Sequence, residues 1–260
     1  MQSYLDIPVA GQNIAACLHL PAAASAATPA PVVICCHGLT GTRVGSCYRQ
    51  VAVARQLEAE GIATLRFDFR GCGESDGRFI DLTPASLVED LLAVLASLQD
   101  LPTCDTGRLG IVGSSFGAFT AAQACAQMTG LRCLVFWAPV ADLRQLMKEQ
   151  MPPAAWRLLR ERGWVDHHGL PLGRAFFEQA PQEDGPTRLA RHPQPLLIFH
   201  GTGDRQIPFE HAAAYAKAVQ ATGRAVHLEA LDTEDHALRG VELNERIIRE
   251  SAAWLRRHLS

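Results

Sequence analysis

A chain of 260 residues with 48% hydrophobic content can bury a sizeable core, and the sequence reads as one domain over 1–260. Its formal net charge of -3, with no basic run, excludes the electrostatic footprint of a nucleic-acid binder or of a protein held on an anionic membrane. No apolar run reaches the ~18 residues that span a bilayer.

The N-terminus carries no basic region, the first Lys or Arg being Arg43. Ile14-Ala15-Ala16-Cys17 therefore reads as strand rather than as a lipoprotein cleavage site. None of the eight cysteines is spaced C-x-x-C, and several fall in apolar runs where a free thiol acts as a small hydrophobe. A metal site is not expected, and a reduced cytoplasmic setting is.

Residues 3–9 and 14–20 pattern as two strands about Ala10-Gly11-Gln12-Asn13, a hairpin. An Ala/Pro-rich link over 21–31 leads to Val32-Val33-Ile34-Cys35-Cys36, a buried strand that runs into His37-Gly38-Leu39-Thr40-Gly41. A helical pattern over 48–60 stops at Gly61. The strand 62–67 delivers a glycine-dense turn, Asp68-Phe69-Arg70-Gly71-Cys72-Gly73-Glu74-Ser75-Asp76-Gly77. Thr83 caps a helix with Pro84 at its first position, continuing to 98. A strand at 108–112 precedes Gly113-Ser114-Ser115-Phe116-Gly117, a helix-compatible segment at 118–128 and a strand at 131–137.

Residues 140–192 break the rhythm, with more charge and proline and helical pieces near 142–151, 154–163 and 172–180. A strand at 194–200, a helix at 209–221, a strand at 225–231 and a helix at 241–259 complete the chain. Strand–helix alternation with nearly continuous apolar strands implies a mostly parallel sheet with helices on both faces. Ligands bind such sheets at the carboxyl ends of the strands, where the turns after His37, Asp68, Val112 and His200 fall.

Gly113-Ser114-Ser115-Phe116-Gly117 fits G-x-S-x-G in its strand–turn–helix context. A serine nucleophile needs a base for its proton, a carboxylate to orient that base, and donors for the oxyanion. Asp204 follows strand 194–200 directly, and His236 follows strand 225–231 before the last helix. The other nine histidines are worse placed: His37 precedes the serine, His200 runs into the acid's own loop, and His167 and His168 lie in the irregular region. Asp235, Asp232 and Glu234 compete with Asp204, but neighbours in sequence rarely reach the far ring nitrogen. Two backbone amides, of Leu39 and Phe116, are the expected oxyanion donors, and His37 is read as structural.

With Ser115, Asp204 and His236 each at a strand end in that order, the chain resembles the α/β-hydrolase superfamily over nearly its whole length. The matching stretches are His37-Gly38, residues 68–77, 113–117 and 201–204, and His236. The turn at 68–77 resembles that of compact bacterial esterases, including the cinnamoyl (feruloyl) esterase group, and also occurs in peptidase-like hydrolases. Dienelactone hydrolases carry a cysteine nucleophile, whereas this chain has Ser115. The resemblance implies an α/β-hydrolase fold with an N-terminal antiparallel hairpin and a small helical cap formed by 140–192.

The function so implied is cofactor-independent hydrolysis of small-molecule carboxylic esters through an acyl-enzyme. A peptidase acting on short peptides shares the same triad; 260 residues leave no room for the large extra N-terminal domain of prolyl-oligopeptidase-type enzymes, which lowers that expectation. A non-catalytic binding protein on the same fold is a further alternative. Met147, Met151, Trp156 and Trp164 are the candidate substrate-binding residues, suited to an apolar or aromatic acyl group, unless they only seal the cap to the core. Arg157, Arg160 and Arg162 read more plainly as a solvated helix face than as a carboxylate site. The oligomeric state is left open, a homodimer being one option.

Overall fold

The computed structural model describes residues 2–260. An eight-stranded sheet runs through it in the order β1-β2-β4-β3-β5-β6-β9-β10. The strands are β1 (Gln2–Val9), β2 (Gln12–His19), β3 (Ala30–Cys36), β4 (Ala63–Phe67), β5 (Cys104–Ser114), β6 (Leu131–Trp137), β9 (Leu196–Gly201) and β10 (Val226–Leu231). The β1–β2 hairpin is antiparallel and β2 meets β4 antiparallel; every pairing from β4 to β10 is parallel. The mostly parallel sheet and opening hairpin expected from the sequence are therefore present.

Alternation within the strands divides the core. In β3, Val32, Ile34 and Cys36 join a core with α2 (Pro84–Gln99), α3 (Phe116–Ala124) and α8 (Glu210–Gln220). Val33 and Cys35 face the other way, toward α1 (Arg49–Ala59) and α9 (Val241–Leu259). Side chains on successive strand residues point to opposite faces, so an unbroken apolar run fills both layers. Thr83 caps α2, its hydroxyl accepting from the Ser86 amide at 3.0 Å while Pro84 occupies the first position. No helix among the described residues is long and apolar enough to cross a membrane.

Two differences from the sequence reading concern lengths. β5 begins at Cys104, several residues before 108, and the helix after Ser115 shortens to Phe116–Ala124, ending in a 3₁₀ turn. A third concerns the cap. Helices α4 (Leu143–Gln150) and α5 (Pro153–Arg162) lie where expected, but the third piece does not begin as helix. An antiparallel hairpin, β7 (Trp164–His167) with β8 (Leu170–Gly173), comes first, leaving α6 (Arg174–Glu178) only five residues. A further helix, α7 (Gly185–Arg191), closes the insertion. The hairpin turn is Asp166-His167-His168-Gly169, with the Gly169 amide donating to Asp166 Oδ1 at 3.1 Å and His168 at φ 54°.

Candidate active site

Ser115 sits between β5 and α3 at φ 52° and ψ −115°, a conformation disfavoured for a residue with a side chain. Neighbouring backbone holds it there. Its amide donates to Trp137 O of β6 at 2.8 Å, and its carbonyl accepts from the Ala118 and Val140 amides, both at 3.2 Å. The flanking glycines answer to close approach. A Cβ on Gly113 would lie 2.5 Å from Ala118 Cα, and one on Gly117 2.4 Å from Cys36 O. The spacing of the pentapeptide is thus set by how tightly the helix start packs between β3 and β5.

His236, on the loop after β10, brings Nε2 to 2.9 Å from Ser115 Oγ. Its Nδ1 lies 2.7 Å from Asp204 Oδ2. Because a carboxylate can only accept, Nδ1 donates and Nε2 is left to accept the serine hydroxyl. Asp204 Oδ1 accepts from the Gln206 and Ile207 amides at 2.9 Å each, so both carboxylate oxygens are engaged. Burial pushes the Asp204 carboxyl up, but His200, His236 and the Ile207 amide outweigh it and hold it well below the usual carboxylate range. The buried His200 donates from Nε2 to Ile207 O at 2.8 Å and lies 3.4 Å from Asp204 Oδ2. Asp235, the sequence neighbour, is spent elsewhere: it accepts from the Ala237 and Arg239 amides and from the Arg239 guanidinium.

His37 is buried and bonded at both nitrogens, to Gly38 O at 2.7 Å and from the Phe69 amide at 3.0 Å. Burial holds its imidazole below the ordinary histidine value. It braces the loop after β3 against the turn after β4. Within that turn the buried Asp68 accepts from the Arg43 and Glu74 amides and from the Arg43 guanidinium. Among the described residues the amides of Leu39 and Phe116 meet no acceptor, and both residues line the cavity onto which Ser115 opens. The Phe116 amide also belongs to the first turn of α3, where backbone donors are free and favour negative charge.

That cavity encloses about 540 Å³ between the strand ends and the cap. Met147 and Met151 line it, as the sequence suggested, together with Leu143, Leu146, Phe176 and Phe177. Trp156 and Trp164 do not. Trp156 stands edge-on to Phe177 at 5.7 Å, and Trp164 lies under the Arg162 guanidinium at 4.7 Å, so both consolidate the cap itself. Arg157 and Arg160 are exposed. Sequence reasoning set aside His167 and His168, which line the cavity from the cap hairpin, and missed Gln50 near its floor. A polar turn ending in glycine between Trp164-Val165 and Leu170-Pro171-Leu172 was the available signal. Among the described residues no group of His, Cys, Asp and Glu is arranged to hold a metal ion.

Fold and site together define an α/β-hydrolase, with a nucleophile-type turn, an imidazole and a carboxylate presented by three strand ends. The family model of the prolyl oligopeptidase family matches residues 49–260, and the chain belongs to that family. It is 25% identical to the esterase YjfP of Escherichia coli over 84% of this chain and 83% of that one. It is 24% identical to the acylamino-acid-releasing enzyme of Sus scrofa over 97% of this chain but 35% of that one. The matches span only 36–41% of the length of the first curated relatives. Among solved structures, Est1E of Butyrivibrio proteoclasticus with ferulic acid bound superposes with a TM-score of 0.80 at 22% identity, covering 98% of this chain and 99% of that one.

Proposed function

We propose that the protein is a serine esterase that cleaves small carboxylic esters through an acyl-enzyme. The observation that carries the reading is the continuous hydrogen-bonded chain from Asp204 through His236 to Ser115 Oγ. His236 Nε2 takes the hydroxyl proton as Oγ attacks the ester carbonyl. Asp204 keeps Nδ1 protonated and stabilises the imidazolium that forms. The Leu39 and Phe116 amides receive the oxyanion. Collapse of the tetrahedral intermediate breaks the C–O bond, and His236 returns the proton to the leaving alcohol. Water, deprotonated by the same imidazole, then hydrolyses the acyl-serine and regenerates the free hydroxyl.

The acyl group lies in the cap cavity against Met147, Met151, Phe176 and Phe177. Those side chains suit an apolar or aromatic acyl group, and the likeness to a structure with ferulic acid bound puts aryl esters first in a substrate panel. No cofactor is required by this chemistry. The seven buried free cysteines favour a reducing, cytoplasmic setting for the same reading. The deciding experiment is hydrolysis of an acyl- and aryl-ester panel beside Ser115→Ala. Near-normal turnover by the folded variant would sink the proposal.

Membership of the prolyl oligopeptidase family favours one second reading, cleavage of short peptides by the same three residues. Turnover of a p-nitrophenyl acyl ester compared with an aminoacyl p-nitroanilide separates the two. An anilide preferred by kcat/KM would replace the esterase reading.

A further inference from the structure

Arg49 begins α1 and is only 3% exposed, yet among the described residues its hydrogen-bond partners are two backbone carbonyls and an amide, with no carboxylate. Its Nε donates to Asn244 Oδ1 of α9 at 2.7 Å. Its Nη2 donates to Ala237 O at 3.1 Å and to Leu238 O at 2.7 Å, the two carbonyls that follow His236. The guanidinium carbon stands 5.4 Å from the Trp137 ring, on the residue whose carbonyl holds the Ser115 amide. A charge kept inside a protein without an acid is costly unless every donor finds a partner. Here the partners are the backbone of the histidine loop, one amide and an aromatic face.

Other ties on residues 235–239 make the role of those bonds plain. Asp235 folds the segment onto itself, accepting the Ala237 and Arg239 amides and the Arg239 side chain, all within four residues. Leu238 adopts φ 52° and its amide returns to Asp235 O at 2.9 Å. Among the described residues, the only hydrogen bonds that reach 235–239 from outside the loop are those of His236 to Asp204 and Ser115 and those of Arg49. Leu238 adds an apolar anchor, its side chain 1% exposed. Burial pulls the Arg49 guanidinium down to about 10, with Cys47 and Asp235 pushing back, so it stays charged at neutral pH.

We propose that Arg49 is a positioning residue of the active site: its fork of donors fixes the carbonyls of Ala237 and Leu238 and so holds His236 Nε2 on Ser115 Oγ. This inference rests on the serine-hydrolase reading and adds a residue, 187 positions before the imidazole, that touches no substrate. A lysine keeps the charge but loses the fork, so it cannot serve both carbonyls and Asn244 together. The loss therefore falls on proton transfer and leaves acyl-group binding unchanged.

The test uses the full chain with Arg49→Lys, Arg49→Met and Asn244→Ala, reading the labelling rate of Ser115 by a fluorophosphonate, kcat and KM on p-nitrophenyl acetate, and the melting midpoint. A misplacement of this kind costs on the order of 100-fold in rate. Arg49→Met is expected to lose about that in both labelling and kcat, and Arg49→Lys about 10-fold, with KM within about twofold. Millimolar methylguanidinium is expected to restore part of the Arg49→Met rate. Folded Arg49 variants labelled at the wild-type rate would overturn the proposal, as would a loss that tracks unfolded protein and gains nothing from methylguanidinium. If Arg49→Met does not fold, Asn244→Ala decides: slower labelling with unchanged KM supports the role, and wild-type labelling overturns it. Wild-type protein that neither labels nor hydrolyses sinks the serine-hydrolase reading itself, a result distinct from any of these.

Discussion

The floor of the candidate active site and its cap are built on different physics. On the floor, backbone does the positioning. Ser115 is pinned through its own amide and carbonyl, Asp204 through two loop amides, and His37 through two backbone groups. In the cap, packing of side chains dominates, with Phe176, Phe177 and Trp156 in successive ring contacts and Phe176 set against Phe116 of α3. Polar ties to the body include the Ala141 amide to His211 Nδ1 at 2.8 Å, Tyr215 Oη to Val140 O at 3.0 Å and Gln123 Nε2 to Glu183 O at 2.9 Å. Backbone hydrogen bonds demand exact geometry, whereas apolar contacts tolerate exchange of volume. Floor residues should therefore answer to substitution with loss of rate, and cap residues with a change of preference.

The largest effect expected is on the floor. Ser115→Ala should lower ester turnover by about four orders of magnitude or more while the melting midpoint stays near that of the wild type, because among the described residues the hydroxyl bonds only to His236. Asp204→Asn should lose on the order of 10⁴ in kcat, and Asp235→Asn far less, since Asp235 shapes the loop without meeting the imidazole. Equal losses at the two aspartates, measured on one ester, would reverse the assignment of the acid.

Next comes the close approach beneath the serine. Gly117→Ala places a Cβ against the Cys36 and His37 carbonyls at 2.4 and 2.5 Å and is expected to cost about 3 kcal/mol in chemical denaturation. Acid sensitivity follows from Asp204. Its folded-state pKa lies below the unfolded value, so its contribution is present above the unfolded carboxylate pKa of about 4 and is lost as pH falls through the folded one. Denaturation midpoints should fall between about pH 5 and pH 2, and Asp204→Asn should flatten that slope.

The smallest effects mark the cap. Met147→Ala should shift the ratio of kcat/KM between a long-chain and a short-chain ester by about tenfold, as a few methylenes of contact are worth. Trp164→Ala should leave that ratio within about twofold, because the ring faces Arg162 and not the cavity. A larger shift at Trp164 than at Met147 would dissolve the distinction between lining and bracing residues.

The same contrast separates what was legible in the sequence from what was not. Apolar strands alternating with capped helices made the parallel sheet readable, and chain order at the strand ends pointed to Ser115, Asp204 and His236. These features repeat with a local period or follow a strand directly, so nearby residues encode them. The cap hairpin leaves no clear strand pattern in the sequence, because its strands are four residues each and its turn resembles surface loop. Residue type alone leaves Trp156 and Trp164 open between lining the cavity and sealing the cap, and which way each ring faces depends on Phe177 and Arg162.

Sequence by itself therefore determined the sheet, its hairpin and the candidate nucleophile, acid and base, since strand periodicity and glycine-marked turns are local properties of the chain. Only the tertiary structure decided which carboxylate reaches the imidazole, which cap residues line the cavity, and that a buried arginine from α1 grips the histidine loop. Those outcomes depend on contacts between residues tens to nearly two hundred positions apart, and no local pattern records the meeting.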